Sequence, residues 1–315
     1  MTIRELGRTG LSVSDVCVGT SALGNFPAQY GYEVDEETAV AAIRRVFEGP
    51  FTFIDTSNEY GGGASEERIG RAIAEHGGIP EGFVVATKVD PLPGSTDFSG
   101  DRVRRSVEES LTRLGLDTLQ LVYLHDPEKI TFEEGVARGG PLEALIELRD
   151  QGVIKHLGVA GGPIDLELRY LATDAFDAVI SHNRYTLIDQ TAEPLLEDAQ
   201  RRGVAFVNAA PFGGGMLVRG ARAVPTYCYA PVSDATVTRA LAMEALCERH
   251  GVPLAAAALQ FSTRDPRVAS TIVGMSRPDR VDQTVGLLDH LIPDELWADL
   301  LPLAAIGRHG HQTAA

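Results

Sequence analysis

A chain of 315 residues, 44% apolar and 23% charged, has enough apolar material for one large core, which excludes a disordered or fibrous class. Its formal charge of −16 excludes a general polyanion-binding surface, so neither nucleic acid nor an anionic membrane is an expected partner, while a local phosphate site stays open. No run approaches the roughly 18 apolar residues of a membrane span, and charges in the opening MTIRELGRTG interrupt the apolar core that a signal peptide requires, so a cytoplasmic location is expected.

In chain order, short apolar runs alternate with longer amphipathic segments, the pattern of repeated strand and helix units. Strands are expected at 15–19, 52–55, 83–88, 119–125, 155–159, 178–181, 204–208 and 270–273. Eight such units close a (β/α)8 TIM barrel, an α/β fold with long βα loops at its C-terminal face. Helix starts are read at Asp35, Ser65 and Ser99, a stop at Gly152, and an N-cap at Ser276 ahead of Pro278. Two connections, 125–140 and 209–235, exceed ordinary loop length and lie where barrel enzymes build their pockets. A single domain over 1–307 is expected, with a frayed tail at 308–315. Cys17, Cys228 and Cys247 are odd in number and widely spaced, which suits reduced thiols rather than a disulfide framework or metal cluster.

The chemistry concentrates at strand ends. FTFI precedes Asp55, FVVAT precedes Lys88 and LQLVYL precedes His125. One such charge would merely mark where a strand leaves the core; three in succession point to a shared mouth. An acid and a cation can pair there, with a histidine alongside that hydrogen-bonds near neutrality. Tyr60, five residues after Asp55, supplies a proton donor, and a cation such as Lys88 would draw its pKa below the free value of about 10.

Over nearly the whole chain these residues sit in motifs that resemble the aldo-keto reductases: LGRTGLSVS at 6–14, FIDTSNEYG at 53–61, SEERIG at 65–70, ATKV at 86–89 and LHDP at 124–127. The resemblance implies that Tyr60 is the general acid or base, Lys88 lowers its pKa, Asp55 holds the lysine and His125 orients the reacting oxygen. Hydride would pass between the nicotinamide of NAD or NADP and a carbon of the substrate, with no metal involved.

No GxGxxG follows the first strand and no Walker A motif occurs, so a Rossmann nucleotide site is not supported. The phosphate region of a barrel lies after strands seven and eight instead. There the chain carries Pro211, Phe212 and Gly213, then Gly274, Ser276, Arg277, Arg280, Gln283 and Thr284, where glycines admit a backbone approach and arginines favour anions. The family's Ser-Asn grip on the carboxamide reads Ala160-Gly161 here, and its aromatic ahead of Ser-Pro reads Ala209. His182 and Asn183 are expected to take over part of that task, with Asn208 and Phe212 as further candidates.

GTSALGN at 19–25, EGPFTFIDTSN at 48–58 and NAAPFGGG at 208–215 resemble the branch of L-fucose and D-threo-aldose 1-dehydrogenases and pyridoxal 4-dehydrogenase. That likeness implies a small-molecule sugar or cyclic hemiacetal substrate, oxidised to a lactone. Asn25, Asn58, Asp126 and His182 would meet its hydroxyls, and Phe26 and Tyr227 would cover a ring face. Trp297 reads as packing. Carbonyl reduction with NADPH is the alternative, a nucleotide-binding redox-sensing subunit without turnover is another, and a metal-dependent barrel hydrolase would require His and carboxylate clusters at several strand ends.

Overall fold

The computed structural model describes residues 1–304 apart from positions 93 and 229; the tail at 308–315 lies outside the described residues. Eight parallel strands form the barrel: β1 Val16–Gly19, β2 Phe53–Asp55, β3 Val84–Val89, β4 Leu119–His125, β5 Ile154–Gly161, β6 Ala178–His182, β7 Ala205–Ala209 and β8 Val268–Gly274. Each pairs with its chain neighbours, and β8 closes the ring on β1 in the register Thr271 to Val16 through Gly274 to Gly19. All eight fall within two residues of the expected ranges.

The outer helices are α1 Glu36–Phe47, α2 Ala64–His76, α3 Gly100–Leu114, α4 Pro141–Asp150, α5 Ile164–Leu171, α6 Glu193–Arg202, α7 Leu254–Thr263 and α8 Pro278–Asp289. Asp35 accepts from the Thr38 amide and Ser99 from the Arg102 amide, each a side-chain cap of about 1 kcal/mol. Two expected caps are corrected. α2 starts at Ala64 behind Gly63, and Ser65 is buried, bonding to Thr56 and Thr20 between the first two strand ends. Ser276 accepts from the Tyr32 hydroxyl instead of capping α8, whose N-cap is Arg277.

Strand side chains alternate, so one set fills the barrel and the other meets the helices. Phe53, Ala86, Leu121, Tyr123, Ile180 and Val207 pack inside, together with Leu6 and Val13 beside the N-terminal hairpin Ile3–Glu5 and Ser12–Ser14. Ile54, Val85, Val122, Leu124, Val179 and Phe206 join the larger cluster facing the helices. Continuing the inner rows by twos brings Asp55, Lys88, His125, His182 and Ala209 to the C-terminal mouth. The 125–140 connection folds into a turn at Pro127–Lys129 and a short helix at Phe132–Gly135. The one after β7 carries Gly213–Gly215, Met216–Arg219, a small hairpin and an added helix, Asp234–Arg249. Cys17, Cys228 and Cys247 are free thiols, and Trp297 is buried with Arg264 over its ring.

Candidate active site

Asp55 and Lys88 are both buried at the mouth. Lys88 Nζ donates to Asp55 Oδ2 at 2.7 Å, to the Thr56 carbonyl at 2.7 Å and to the Tyr60 hydroxyl oxygen at 3.0 Å. An ammonium has three hydrogens, and these acceptors use them all. Burial opposes the lysine charge, but attraction to Asp55 at contact distance wins and holds Lys88 above the ordinary lysine range.

Tyr60 reaches this cation from the loop after β2. The next residue, Gly61, adopts φ 68°, and a Cβ there would lie 2.2 Å from the Gly24 carbonyl oxygen. Only glycine lets the β1 and β2 loops cross so closely and aim the phenol inward. Because the hydroxyl oxygen accepts from Lys88, its own hydrogen is left for another oxygen. Burial pushes the phenol above its ordinary value; Lys88 pulls it down, without overcoming burial and the Asp55 charge. Lys88 thus pulls the phenol in the expected direction while burial outweighs it, and the hydroxyl keeps its hydrogen for a substrate oxygen.

His125 meets Tyr60 edge-on, with ring centroids 6.2 Å apart. Its Nδ1 lies 2.8 Å from Oδ1 and 2.9 Å from Oδ2 of Asp90, a fully buried carboxylate just past the end of β3. Ser57 donates to the same carboxylate at 2.8 Å and Lys129 at 3.2 Å. Burial works against the Asp90 charge, yet His125 and Lys129 hold its carboxyl well below the usual range. Asp90 was not among the expected residues. Its signal was the alternation itself, since Lys88 and Asp90 are two apart and share the inward face.

Glu59, Asp90, His125 and Asp126 place one ligand atom each within 4.8 Å of one another, a grouping of the metal-binding kind. Lys129 Nζ stands among its carboxylates, 3.0 Å from Glu59, 3.2 Å from Asp90 and 3.4 Å from Asp126. The cluster thus already contains its own cation.

The other half of the mouth is built differently. His182 ends β6, and its Nδ1 lies 3.2 Å from Asn183 Nδ2. Asn183 is buried at φ 58°, its carbonyl accepts from the Tyr227 hydroxyl at 2.6 Å, and its Oδ1 has no partner among the described residues. At the end of β5, Gly161 N donates to Glu167 Oε1 at 3.1 Å and Gly162 N to Glu128 Oε1 at 3.3 Å. A side chain at Gly161 would begin 3.0 Å from Glu128 Oε2 and 3.2 Å from the Pro127 ring. After β7, Ala210 adopts φ 58°, followed by buried Pro211, half-buried Phe212 and Gly213 at φ 56°. Gly274 is exposed at the end of β8. Arg277 pairs with Asp279 at 2.7 Å, Arg280 donates to Gln283 at 3.0 Å, and Thr284 is buried against the Arg280 carbonyl.

Three expected contacts are corrected. Asn208 lies on the outer face of β7, between inward Val207 and Ala209, and its amide donates to the Tyr185 carbonyl and to Ser262 on α7. Asn58 is buried and donates to Ser106 on α3. Tyr227 is 1% exposed, its hydroxyl shared between Thr186 and Asn183, so it braces the loop and presents no ring face. Asn25 is exposed and its Oδ1 accepts from Val34 N, with half-buried Phe26 beside it. Asp126, at φ 43°, keeps a carboxylate oxygen 3.5 Å from His125 Nε2.

A lysine, an acid, a tyrosine and a histidine converging at the carboxyl mouth of an eight-stranded barrel make a site suited to proton transfer on a small molecule. The Aldo/keto reductase family model matches residues 15–303, and the chain belongs to that family of oxidoreductases. It is 31% identical to pyridoxal 4-dehydrogenase of Microbacterium luteolum, covering 94% of this chain and 96% of the relative. It is 32% identical to L-galactose dehydrogenase of Arabidopsis thaliana (92% and 88% covered) and 30% identical to D-threo-aldose 1-dehydrogenase of a Pseudomonas species (92% and 94%). Among solved structures, the aldo-keto reductase AKR11C1 of Bacillus halodurans in its holo form superposes with a TM-score of 0.78, covering 98% of both chains at 23% identity, a likeness of fold. Among the described residues no helix is long and apolar enough to cross a membrane.

Proposed function

We propose that this chain oxidises the hydroxyl of an aldose or similar cyclic hemiacetal with NAD(P) as hydride acceptor, giving a lactone. The observation that carries the reading is the convergence of Tyr60, with its hydroxyl hydrogen free, and His125 on one opening beside Lys88. Three relatives that match along most of their length support the substrate class, since they are named dehydrogenases of pyridoxal, L-galactose and D-threo-aldoses.

The nicotinamide, when bound, supplies the hydride chemistry. Asn183 would hold its carboxamide: a buried Oδ1 without a described partner is an acceptor in want of an amide N–H. His182 stands beside it. Arg280 leans on a neutral glutamine, so its charge is not locally cancelled and favours a phosphate, as do the backbone amides of Pro278–Asp289 at their N-terminus. Pro211, Phe212, Gly213, Gly274, Ser276, Arg277, Gln283 and Thr284 complete that cradle, and Asn25, Phe26 and Asp126 face the substrate.

Initial rates with L-fucose, D-arabinose, L-galactose, pyridoxal and a simple aldehyde, each with both nucleotides, test the reading. Cofactor reduction with at least one hemiacetal is the expected result. A protein that binds nucleotide and turns over nothing would reverse it in favour of a redox-sensing subunit. One observation favours carbonyl reduction as the second reading: the Tyr60 hydroxyl accepts from Lys88 and so keeps its own hydrogen to give to a carbonyl oxygen. Turnover of the aldehyde with NADPH alone would select it.

A further inference from the structure

Gly161 and Gly162 have no positive φ, so their backbone does not call for glycine; what the missing side chains give is room. We propose that Glu128, reaching over from the turn after β4, fills that room as part of the nicotinamide seat, its carboxylate accepting one N–H of the carboxamide while His182 Nε2–H meets the carboxamide oxygen. The inference rests on the NAD(P) reading above and deepens it.

The turn that carries Glu128, Pro127–Lys129, is tied to β5 by Asp126 N, which donates to the Ala160 carbonyl at 2.7 Å. From there Glu128 bends over the two glycines, and its Oε1 accepts from Gly162 N at 3.3 Å. A Cβ on Gly161 would lie 3.0 Å from Glu128 Oε2, and one on Gly162 would lie 3.4 Å from Glu128 Oε1 and 3.2 Å from His182 Nε2. The carboxylate therefore borders the volume that side chains at 161 and 162 would enter, and the His182 ring borders the same volume from the end of β6. Glu59, Asp90 and Asp126 share the Lys129 ammonium, whereas exposed Glu128 forms no ion pair among the described residues.

The hydrogen on His182 is fixed by its neighbour. An amide nitrogen only donates, so at 3.2 Å from Asn183 Nδ2 the ring's Nδ1 accepts, and the neutral ring carries its hydrogen on Nε2. Burial holds His182 below the ordinary histidine value, which keeps the ring neutral near pH 7 and above. The end of β5 and β6 thus presents two acceptors, Glu128 and the unpartnered Asn183 Oδ1, and one donor, His182 Nε2. A primary carboxamide presents the complement, two N–H donors and one carbonyl acceptor. A methyl ketone in its place would leave both acceptors unmatched, and a carboxylate would set a second negative charge against Glu128.

The test is calorimetric titration of the full-length protein at pH 8 with NAD and NADP, and with analogues of each in which a methyl ketone or a carboxylate replaces the carboxamide. The native chain should bind the methyl ketone about 10-fold more weakly than the amide and the carboxylate about 100-fold more weakly or worse. Glu128→Gln should strengthen binding of the carboxylate analogue at least about 10-fold, a gain that misfolding cannot imitate. Glu128→Ala should weaken binding of the ordinary nucleotide about 10-fold and narrow the gap between amide and methyl ketone. Nucleotide and analogue affinities unchanged in both variants would overturn the seat, and a change confined to the KM of a sugar substrate would assign Glu128 to the substrate instead. A native chain that binds neither NAD nor NADP would overturn the nucleotide reading itself, whereas tight binding that does not distinguish the three groups would overturn the seat alone.

Discussion

The two halves of the barrel mouth are finished to different degrees. On the β2, β3 and β4 side, Asp55, Lys88, Tyr60 and His125 each take a hydrogen bond from, or give one to, another part of this chain. On the β5, β6 and β7 side, Ala160 and Ala209 are small, Gly161 and Gly162 leave space, and Asn183 Oδ1 is buried without a described partner. A preorganised half can hold a proton with no ligand present, because its charges are already paired. The less finished half has acceptors that only a ligand completes. The proton chemistry should therefore be sensitive to single substitutions within the chain, and the nucleotide grip to those few groups that point into open space.

The largest effects should come from the finished half. Tyr60→Phe removes only the hydroxyl that Lys88 holds, and should lower turnover in both directions by about a thousand-fold while leaving nucleotide affinity, read by fluorescence titration, unchanged. Lys88→Met should lose turnover and stability together. It strands Asp55 as a buried carboxylate without its cation, a defect of about 3–5 kcal/mol, visible as a lowered denaturation midpoint. If Lys88→Met melted like the native chain, Asp55 and Lys88 would not be the wired pair that the 2.7 Å contact indicates.

Much of the barrel could be read before the structure, because its strands obey alternation and its helices carry caps and stops where the chain must leave the core. Asp55, Lys88 and His125 were visible because each closes an apolar run, and a strand end in a barrel has one destination. Tyr60 needed the family likeness, since nothing in a loop of DTSNEYGGG says which way the phenol points. Asn208 and Tyr227 depart from expectation for different reasons: a polar side chain near a strand end reaches the mouth only on the inward face, and the burial of Tyr227, far along the loop after β7, has no signal in the sequence. Parity sends Asn208 outward to α7 and, applied to Lys88, would have brought Asp90 in. Ser57, two residues after Asp55, follows the same row.

The open half should respond less strongly. Arg280→Ala removes the cation that leans on Gln283, and should weaken nucleotide binding about 10- to 50-fold, equivalent to the loss of one charge-assisted hydrogen bond. A larger loss for NADP than for NAD would place the extra phosphate at that guanidinium, and equal losses would place the shared pyrophosphate there. Smaller again is the effect of Gly161→Asn, which restores one member of the family's carboxamide pair. Its Cβ would begin 3.0 Å from Glu128 Oε2, so about 1–3 kcal/mol of stability should be lost with no gain in affinity. A tighter complex in that variant would mean that the seat merely lacks the residue and has not been rebuilt around Glu128.

The smallest expected effect probes the ground beneath that seat. Glu167 on α5 is fully buried, receives one bond from Gly161 N, and has an Oε2 without a described partner. Burial pushes its carboxyl well above the ordinary range, and the nearby Glu128 charge adds to the rise. The folded chain therefore binds a proton that the unfolded chain releases above about pH 4.3. Stability from this group is present below that pH and falls as pH rises toward the folded value. Glu167→Gln keeps the acceptor for Gly161 N and cannot ionise. It should melt like the native chain at pH 4 and about 2 °C higher at pH 8, corresponding to roughly 1 kcal/mol. Equal melting points at both pH values would show that Glu167 is ionised and satisfied in the folded state. The seat beneath Gly161 would then be as fully wired as the opposite half, and the contrast between the two sides would narrow to Asn183 alone.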